Sequence, residues 1–337
     1  MIKKMHQFQV GSKARKPKIG LVADLATAVG LAPDASLIHL TPGNWKLKIN
    51  LFRPDFVLIE SAWRGHGNSW QRQIVDAPSV QLTELADYCR KRDLPAVFWN
   101  KEDPIHFERF MQTALLFDYV LTTDSDSVPA YLALKGACFK TVDTLAFCAQ
   151  PKWHFPAATD AQADDSVAFL GGYYGLELAE RSEQQLQILS ALSDKGLKIY
   201  DRFWFEHKNQ GSFPEALKPF CLPAVDLSKS YALYRRYKTH INFNTVQHSQ
   251  SMLSRRVFEL AASKAAIIST PSIAMGNIFG SHIPQVIDGI TANRALQEYR
   301  CDPEKRAQDV FANYEVVMDA HTWKHRLNKI QQLLCLK

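Results

Sequence analysis

Residues 230–271 read as helix, strand, polar loop, helix and strand, and this alternation constrains the fold more than any other part of the chain. The first strand is expected at 241–246 and the next at 265–270. Between them lies a helix over 254–263 that puts Val257, Leu260 and Ala261 on its apolar face. The loop 247–251 then falls at the carboxyl end of a strand, where an α/β sheet places its ligands. The helix start that follows offers free N–H groups to a phosphate. Arg255, Arg256 and Glu259 lie on that helix, and Glu259, four residues past Arg255, shares its face. Two readings stand: a site for a phosphorylated, sugar-bearing ligand of the nucleotide-sugar kind, or a solvated helix with ordinary charges.

A chain of 337 residues is expected to make about two domains, and 46% hydrophobic residues suffice for a core in each. A formal charge of +6 suits an anionic small substrate or peripheral contact with an anionic membrane, without requiring nucleic acid. Apolar runs are too short for a membrane-crossing helix. Residues 1–18 are basic, lack the apolar centre of a signal peptide and read as a loose lead-in. Six cysteines without a CxxC pair point to reduced thiols and a cytoplasmic location, and the basic charge allows one at the inner face of the membrane.

The first half alternates strands and helices at the spacing of a parallel sheet. Strands are expected at 18–23, 36–40, 56–59, 96–99, 119–122 and 142–146, with a helix over 81–92. No GxGxxG follows the first strand, which ends at Asp24. The third runs into Glu60 and a loop holding Trp63, Arg64 and Trp70, read either as an aromatic platform for a sugar or base, or as a turn whose tryptophans seal the core. The fourth ends in Asn100, Lys101, Glu102 and Asp103 before Pro104. This cluster is either a catalytic loop or a helix start with Asp103 as its cap and Pro104 in its first turn. A linker around His154 places a domain boundary near residue 155.

The second half restarts with a strand at 166–170 that runs into Gly171 and Gly172, a signal for close approach of a ligand to the backbone. A helix over 181–192 and a strand over 197–200 follow. Asp201 and Arg202 come next, as a surface pair or with Arg202 reaching a phosphate. Residues 231–238 carry Arg235, Arg236 and Lys238 on a helix leading into the central strand. Residues 283–287 are weakly strand-like, and helices are expected over 302–317 and 320–334, the last with Trp323, Leu327, Ile330 and Leu334 in an apolar stripe.

The strings ESAWRG, AVFWNKEDP, FDYVLTTD, VAFLGGYY, IYDR, YKTHINFNTV and SMLSRRVFELAAS resemble the CgeB-like proteins, a bacterial family related to group 1 glycosyltransferases. The resemblance implies a GT-B fold, two Rossmann-like domains facing a cleft. Residues 1–155 would hold the acceptor, 156–319 the nucleotide-sugar, and 320–337 would cross back to the first domain. It implies that Glu259 holds the ribose hydroxyls, that Gly171 and Gly172 lie near the diphosphate, and that Arg202 and Lys238 are basic positions beside it. Ser251 stands where related transferases often have a second glutamate touching the donor sugar.

The chemistry implied is transfer of a sugar from a nucleoside diphosphate to an acceptor hydroxyl in surface glycan or glycoconjugate synthesis. Cations and helix N–H groups would stabilise the leaving diphosphate. No HExxH or His/Cys metal spacing is present, and Asp124 and Asp126 fall on the acceptor side, so no metal and no cofactor are expected beyond the donor itself. The candidate bases are Asp24, Glu60, Glu102 and Asp103, with Glu102 and Asp103 favoured. Glu60, Trp63, Arg64 and Lys101 are expected on the acceptor side; Ser251, Arg255 and Arg256 join Glu259 on the donor side. The rival class is a non-catalytic nucleotide- or sugar-binding protein on the same frame.

Overall fold

Residues 15–158, 163–206 and 212–336 are described in a computed structural model. The basic lead-in over 1–14 and residues 159–162 of the linker lie outside them. Six parallel strands form the first sheet: β1 (Lys18–Val22), β2 (Ser36–His39), β3 (Phe56–Glu60), β4 (Ala96–Asn100), β5 (Tyr119–Thr122) and β6 (Thr141–Thr144), in the order β2-β1-β3-β4-β5-β6. Five form the second: β7 (Asp164–Gly171), β8 (Lys198–Asp201), β9 (Cys221–Leu222), β10 (Tyr237–Asn242) and β11 (Ala266–Ser269), in the order β11-β10-β7-β8-β9, again parallel.

Both faces of each sheet are covered, which is why the strands read as apolar runs rather than as alternations. Val57 and Ile59 of β3 pack into one core layer with Trp70, Leu82 and Phe110, while Phe56 and Leu58 point the other way, toward Leu31 and Leu327. In the second sheet Ala168 and Leu170 face Val257 and Leu260, and Val167 and Phe169 face Ile188 and Leu296. The helices that matter for the site are α1 (Leu25–Leu31), α4 (Phe107–Ala114), α6 (Ala179–Ala191), α7 (Leu227–Arg236) and α8 (Arg255–Ala262). In this numbering α9 is Ile273–Phe279, α10 Gly289–Cys301, α11 Pro303–Ala320 and α12 Trp323–Leu333.

The second sheet departs from the sequence reading in one place that matters. β10 starts at Tyr237, directly after α7, so Tyr237 and Lys238 belong to a strand and not to the basic helix. It ends at Asn242, four residues before the expected end. The cause is side-chain bonding: Asn242 Nδ2 donates to Ser269 Oγ (3.0 Å), and Asn244 takes Thr270 O (2.7 Å) and Thr270 Oγ1 (2.8 Å). These bonds turn residues 243–246 out of the ladder. The expected strand at 283–287 amounts to a single bridge from Gln285 to Ser269.

The last two helices are split by an extended Thr322 whose side chain, with His325, boxes the start of α12. α11 packs on α8, whereas Trp323, Leu327 and Ile330 of α12 join the core of the first sheet with Ile19 and Leu21. Arg326 fixes this return by donating to the carbonyls of Ala146 (2.6 Å) and Phe147 (2.8 Å). Gly30 on α1 makes room for the Trp323 indole, since a Cβ there would stand 2.1 Å from Nε1. Gly30→Ala is therefore expected to displace α12 and lower stability by about 1–3 kcal/mol, read as a drop in Tm with the secondary structure content retained.

Candidate functional site

The order of each sheet has one point where successive connections run to opposite sides, between β1 and β3 in the first and between β7 and β10 in the second. Crevices outside the carboxyl ends of strands form at such points. Here the two face one another across a cleft of about 310 Å³, lined by Lys101 and Glu102 from one side and by Gly171, Arg202, Arg256 and Glu259 from the other.

The wall supplied by the second sheet is cationic. Arg202 follows β8, Arg255 and Arg256 open α8, and Arg181 reaches in from the first turn of α6. Arg181 is the residue that sequence reasoning missed; only the helix was visible there, not that its start faces the cleft. Burial pulls its pKa down to about 10, Tyr174 against its guanidinium opposes this, and Arg256 and Arg202 add repulsion. Arg181 Nε and Nη1 and Arg256 Nε are buried without a hydrogen-bond partner among the described residues. Ser254, the residue before α8, makes no side-chain cap bond. The helix start therefore presents its N–H groups to the cleft, beside the arginines. Gly171 and Gly172 line this wall as expected, but neighbouring rings also require them: a Cβ would meet Phe169 at 2.4 Å and Phe203 at 2.3 Å. Asp201 is no surface partner of Arg202. It is buried and accepts from Ser212 Oγ (2.9 Å) and Phe203 N (2.9 Å), bracing the loop that carries Arg202.

Glu259 sits at the floor of this wall, 3% exposed. Arg255 Nε lies 2.9 Å from its Oε1 and Tyr234 OH donates to Oε2 at 2.8 Å. Burial pushes its pKa up, but Arg255, then His154 and Tyr234, outweigh that and hold it below the usual value. The Arg255 pair is thus buried on its glutamate side only, the Arg255 side chain being 37% exposed. A carboxylate offers about four lone-pair directions, and these partners leave capacity toward the cleft. His154, from the linker, accepts from Gln150 N at Nδ1 (3.0 Å) and turns Nε2 toward Glu259 at 3.6 Å. The linker histidine is therefore part of the site's support.

The opposite wall is a lysine among carboxylates. Lys101 Nζ stands 2.6 Å from Glu60, 3.2 Å from Asp24 and 3.7 Å from Glu102. Burial alone would lower the lysine's pKa, but the three carboxylates raise it, so it stays charged. Glu60 is fully buried, and burial raises its pKa despite Lys101. Asp24 accepts from the backbone of Gly65 (2.8 Å), Arg64 (3.3 Å) and Trp63 (3.4 Å), which makes it the anchor of the loop after β3. Glu102 is the acidic side chain of this group that lines the cleft.

Several expected site residues lie elsewhere. Asp103 is fully buried behind the cleft wall and bonds Thr122 Oγ1 (2.6 Å), Tyr131 OH (2.9 Å) and Asn100 Nδ2 (2.7 Å). It caps nothing: α4 begins at Phe107, so Pro104 precedes the helix as well. Trp63 packs edge-on against His106 and Phe110, Arg64 is exposed, and neither lines the cleft. Lys238 is the second residue of β10, at the amino end of the sheet, where it pairs with Asp165 at 3.6 Å. Ser251 bridges the two halves, accepting from Ser125 N (2.8 Å) and donating to Thr123 O (3.0 Å). Asp124 and Asp126 serve the same seam, Asp124 bonding Ser249 and Ser127 and Asp126 taking Gln250 N (3.3 Å).

With this geometry in view, the comparisons with known proteins fall into place. Residues 186–332 match a family model described as Glycosyl transferase-like. No curated protein sequence matches the chain. Among solved structures, an α-glucosyltransferase in complex with UDP and a 13-mer DNA superposes with a TM-score of 0.63 at 9% identity, over 95% of this chain and 100% of that one. Alr3699/HepE of Anabaena, in complex with UDP, gives 0.57 at 10% identity over 94% and 91%. BGT of T4 phage, with UDP and Mn2+, gives 0.59 at 10% identity over 95% and 100%. The fold is GT-B. At such identities the structural likeness speaks to the fold.

Asp103 supplies a pH test of this assignment. Burial first, with neighbouring Asp124 and Glu102, raises its pKa to about 7, against the lowering by Thr122 and Tyr131. Between the unfolded value near 3.8 and about 7 the folded state holds more protons, so stability falls as pH rises through that window. Asp103→Asn keeps a partner for Thr122 and Tyr131 but cannot ionise. The difference in unfolding free energy between wild type and variant should shift toward the variant from pH 4 to pH 7, as measured by urea denaturation, with nucleotide affinity unchanged.

Proposed function

We propose that the protein transfers a sugar from a nucleoside diphosphate sugar to a hydroxyl of a neutral glycan or glycoconjugate. The observation that carries this reading is the convergence of Arg181, Arg202 and Arg256 on the start of α8, with buried N–H groups of Arg181 and Arg256 that no acceptor among the described residues satisfies. A diphosphate supplies the missing acceptors, and its charge grows as the bond to the sugar breaks, which is when fixed cations stabilise it most. The UDP complexes of proteins with this fold support a diphosphate nucleotide as ligand, and UDP is the first probe. Glu259, still able to accept hydrogen bonds, is proposed to hold the ribose hydroxyls.

On the other wall Glu102 is the proposed base. It takes the acceptor's proton as the acceptor oxygen bonds the sugar carbon and the bond to the diphosphate breaks, its electrons leaving with the nucleotide. Lys101 keeps the neighbouring carboxylates paired and in place. A wall of carboxylates around one lysine repels a polyanionic acceptor, which supports a glycan over nucleic acid. The arginines match the diphosphate's charge without a metal, so turnover is proposed to survive chelation. The CgeB-like kinship, a bacterial source and a cytoplasmic setting at the inner face of the membrane belong to the same proposal; the six free cysteines suit a reducing compartment.

Ser251, tied up in the seam, leaves the donor-sugar position that it occupies in the sequence without a carboxylate from that residue. That favours, as second reading, a binding protein that does not turn over; release of UDP from UDP-sugars with candidate acceptors decides between them. Arg256→Ala and Arg181→Ala should each weaken UDP binding roughly tenfold or more, since a charge-assisted bond contributes about 1.5–3 kcal/mol. Calorimetry showing unchanged affinity in both would remove the diphosphate site. Glu102→Gln should lower kcat by about 10²-fold or more while leaving the UDP Kd within a factor of two or so. Equal losses in both would make it a binding residue instead.

A further inference from the structure

Glu259 is held by more than its arginine. Tyr234 OH donates to Oε2 at 2.8 Å, and His154 turns Nε2 toward Oε1 at 3.6 Å. Both side chains are buried, His154 being 3% and Tyr234 4% exposed. Arg255, 2.9 Å from Oε1, is the partner with an open side. One fixed donor therefore faces each carboxylate oxygen, and the third partner borders solvent.

The state of the histidine follows from its bonds. Gln150 N donates to Nδ1 (3.0 Å) and His154 N donates to Gln150 O (2.8 Å), so ring and backbone are tied to the same residue. Burial, first, holds the pKa of His154 below the usual value; Glu259 opposes this, and Arg255 and Arg235 add to it. A neutral ring that accepts at Nδ1 carries its proton on Nε2. That N–H is buried and has no hydrogen-bond partner among the described residues. At 3.6 Å it stops just short of a bond to Glu259. Tyr231 packs edge-on against the ring at 4.6 Å.

The segment that carries His154 is seated on the first half. Gln150 Nε2 donates to Gly30 O (2.7 Å) and Asp34 Oδ2 (2.8 Å), and Trp153 Nε1 donates to Val29 O (3.0 Å), all on α1 or just after it. Ala149 N donates to His321 O (2.9 Å) and Trp323 N to Ala149 O (3.0 Å), where the chain turns into α12. Glu259, by contrast, lies on α8 of the second half.

We propose that His154 is a positioning residue for a nucleotide ribose: its Nε2–H closes on Oε1 when the ribose hydroxyls engage Glu259, and the seat of the linker on α1 sets where that N–H stands. Two adjacent hydroxyls meet a carboxylate through both of its oxygens, so a tilt of the carboxylate plane loses one of the bonds. The role rests on the nucleotide site proposed for the cleft, and it ties recognition of the ribose to the fit between the two halves.

Calorimetry on the full chain at neutral pH compares UDP, ADP and GDP with their 2′,3′-dideoxy counterparts, and the ratio of affinities reads the ribose hydroxyls alone. His154→Phe keeps a ring against Tyr231 and removes the donor. His154→Gln removes the ring and keeps an N–H at similar reach. Wild type should prefer the ribose form; His154→Phe should cut that preference about tenfold, and His154→Gln should recover most of it. Gln150→Ala leaves the backbone donor to Nδ1 but frees the linker from Gly30 and Asp34, and should cut the preference about threefold. Equal preference in His154→Phe and wild type, or equal loss in His154→Phe and His154→Gln, overturns the positioning role; unchanged preference in Gln150→Ala overturns the part given to the linker. Glu259→Gln separates the failures. Where it loses the preference and His154→Phe keeps it, the cleft reading stands without His154. Where wild type binds none of these nucleotides, the cleft reading falls and the positioning role falls with it.

Discussion

Covering both faces of a parallel sheet leaves only the ends of its strands open to a ligand. The chain does this twice, and α12 and the Ser251–Thr123 seam then hold the two sets of carboxyl ends against each other. Every functional group described above follows from that constraint. Lys101 and Arg202, which leave their strands at the carboxyl end, reach the cleft. Residues at the amino end, such as Lys238, cannot, even when their charge makes them attractive candidates.

The same geometry explains what was legible in the sequence. The parallel order of strands and helices follows from apolar runs and their spacing, and both halves show it. Glu259 stood out by its place on the helix after the central strand and by the family resemblance, while the residues alone left a solvated helix open. What was not legible was depth. NKEDP offers three charged side chains in a row, but only the fold shows that Lys101 and Glu102 face the cleft while Asp103 turns back under Tyr131. Strand ends were misread where side chains, not propensity, stop the ladder, as at Asn242 and Asn244. Arg181 was invisible because its importance rests on where α6 starts in space. Ser251, Asp124 and Asp126 carried no signal that they meet across more than a hundred residues of chain.

The two walls are electrically opposite, and each solves a different problem of desolvation. On the first, Lys101 Nζ stands among three carboxylates, Glu60, Asp24 and Glu102, of which Glu102 lines the cleft. On the second, Arg255 is matched by Glu259, whereas Arg181 and Arg256 keep buried N–H groups without an acceptor among the described residues. Unsatisfied donors of this kind are costly in a folded protein unless something else satisfies them. The carboxylates around Lys101 and the guanidiniums of Arg181, Arg202 and Arg256 stand on opposite walls of one cleft.

The seam and α12 join the two halves outside the cleft. Asp124 bonds Ser249 and Ser127, with both Asp124 and Ser249 buried, and Arg326 spends its donors on Ala146 and Phe147 rather than on any acid. The polar groups of the seam are thus satisfied among themselves, and the charges of the cleft are left to a ligand. Opposite charges on facing walls set up a field across the space between them. Under the proposed transfer, a negatively charged donor would meet the cationic wall and a neutral hydroxyl the other, which is the order that the reaction needs.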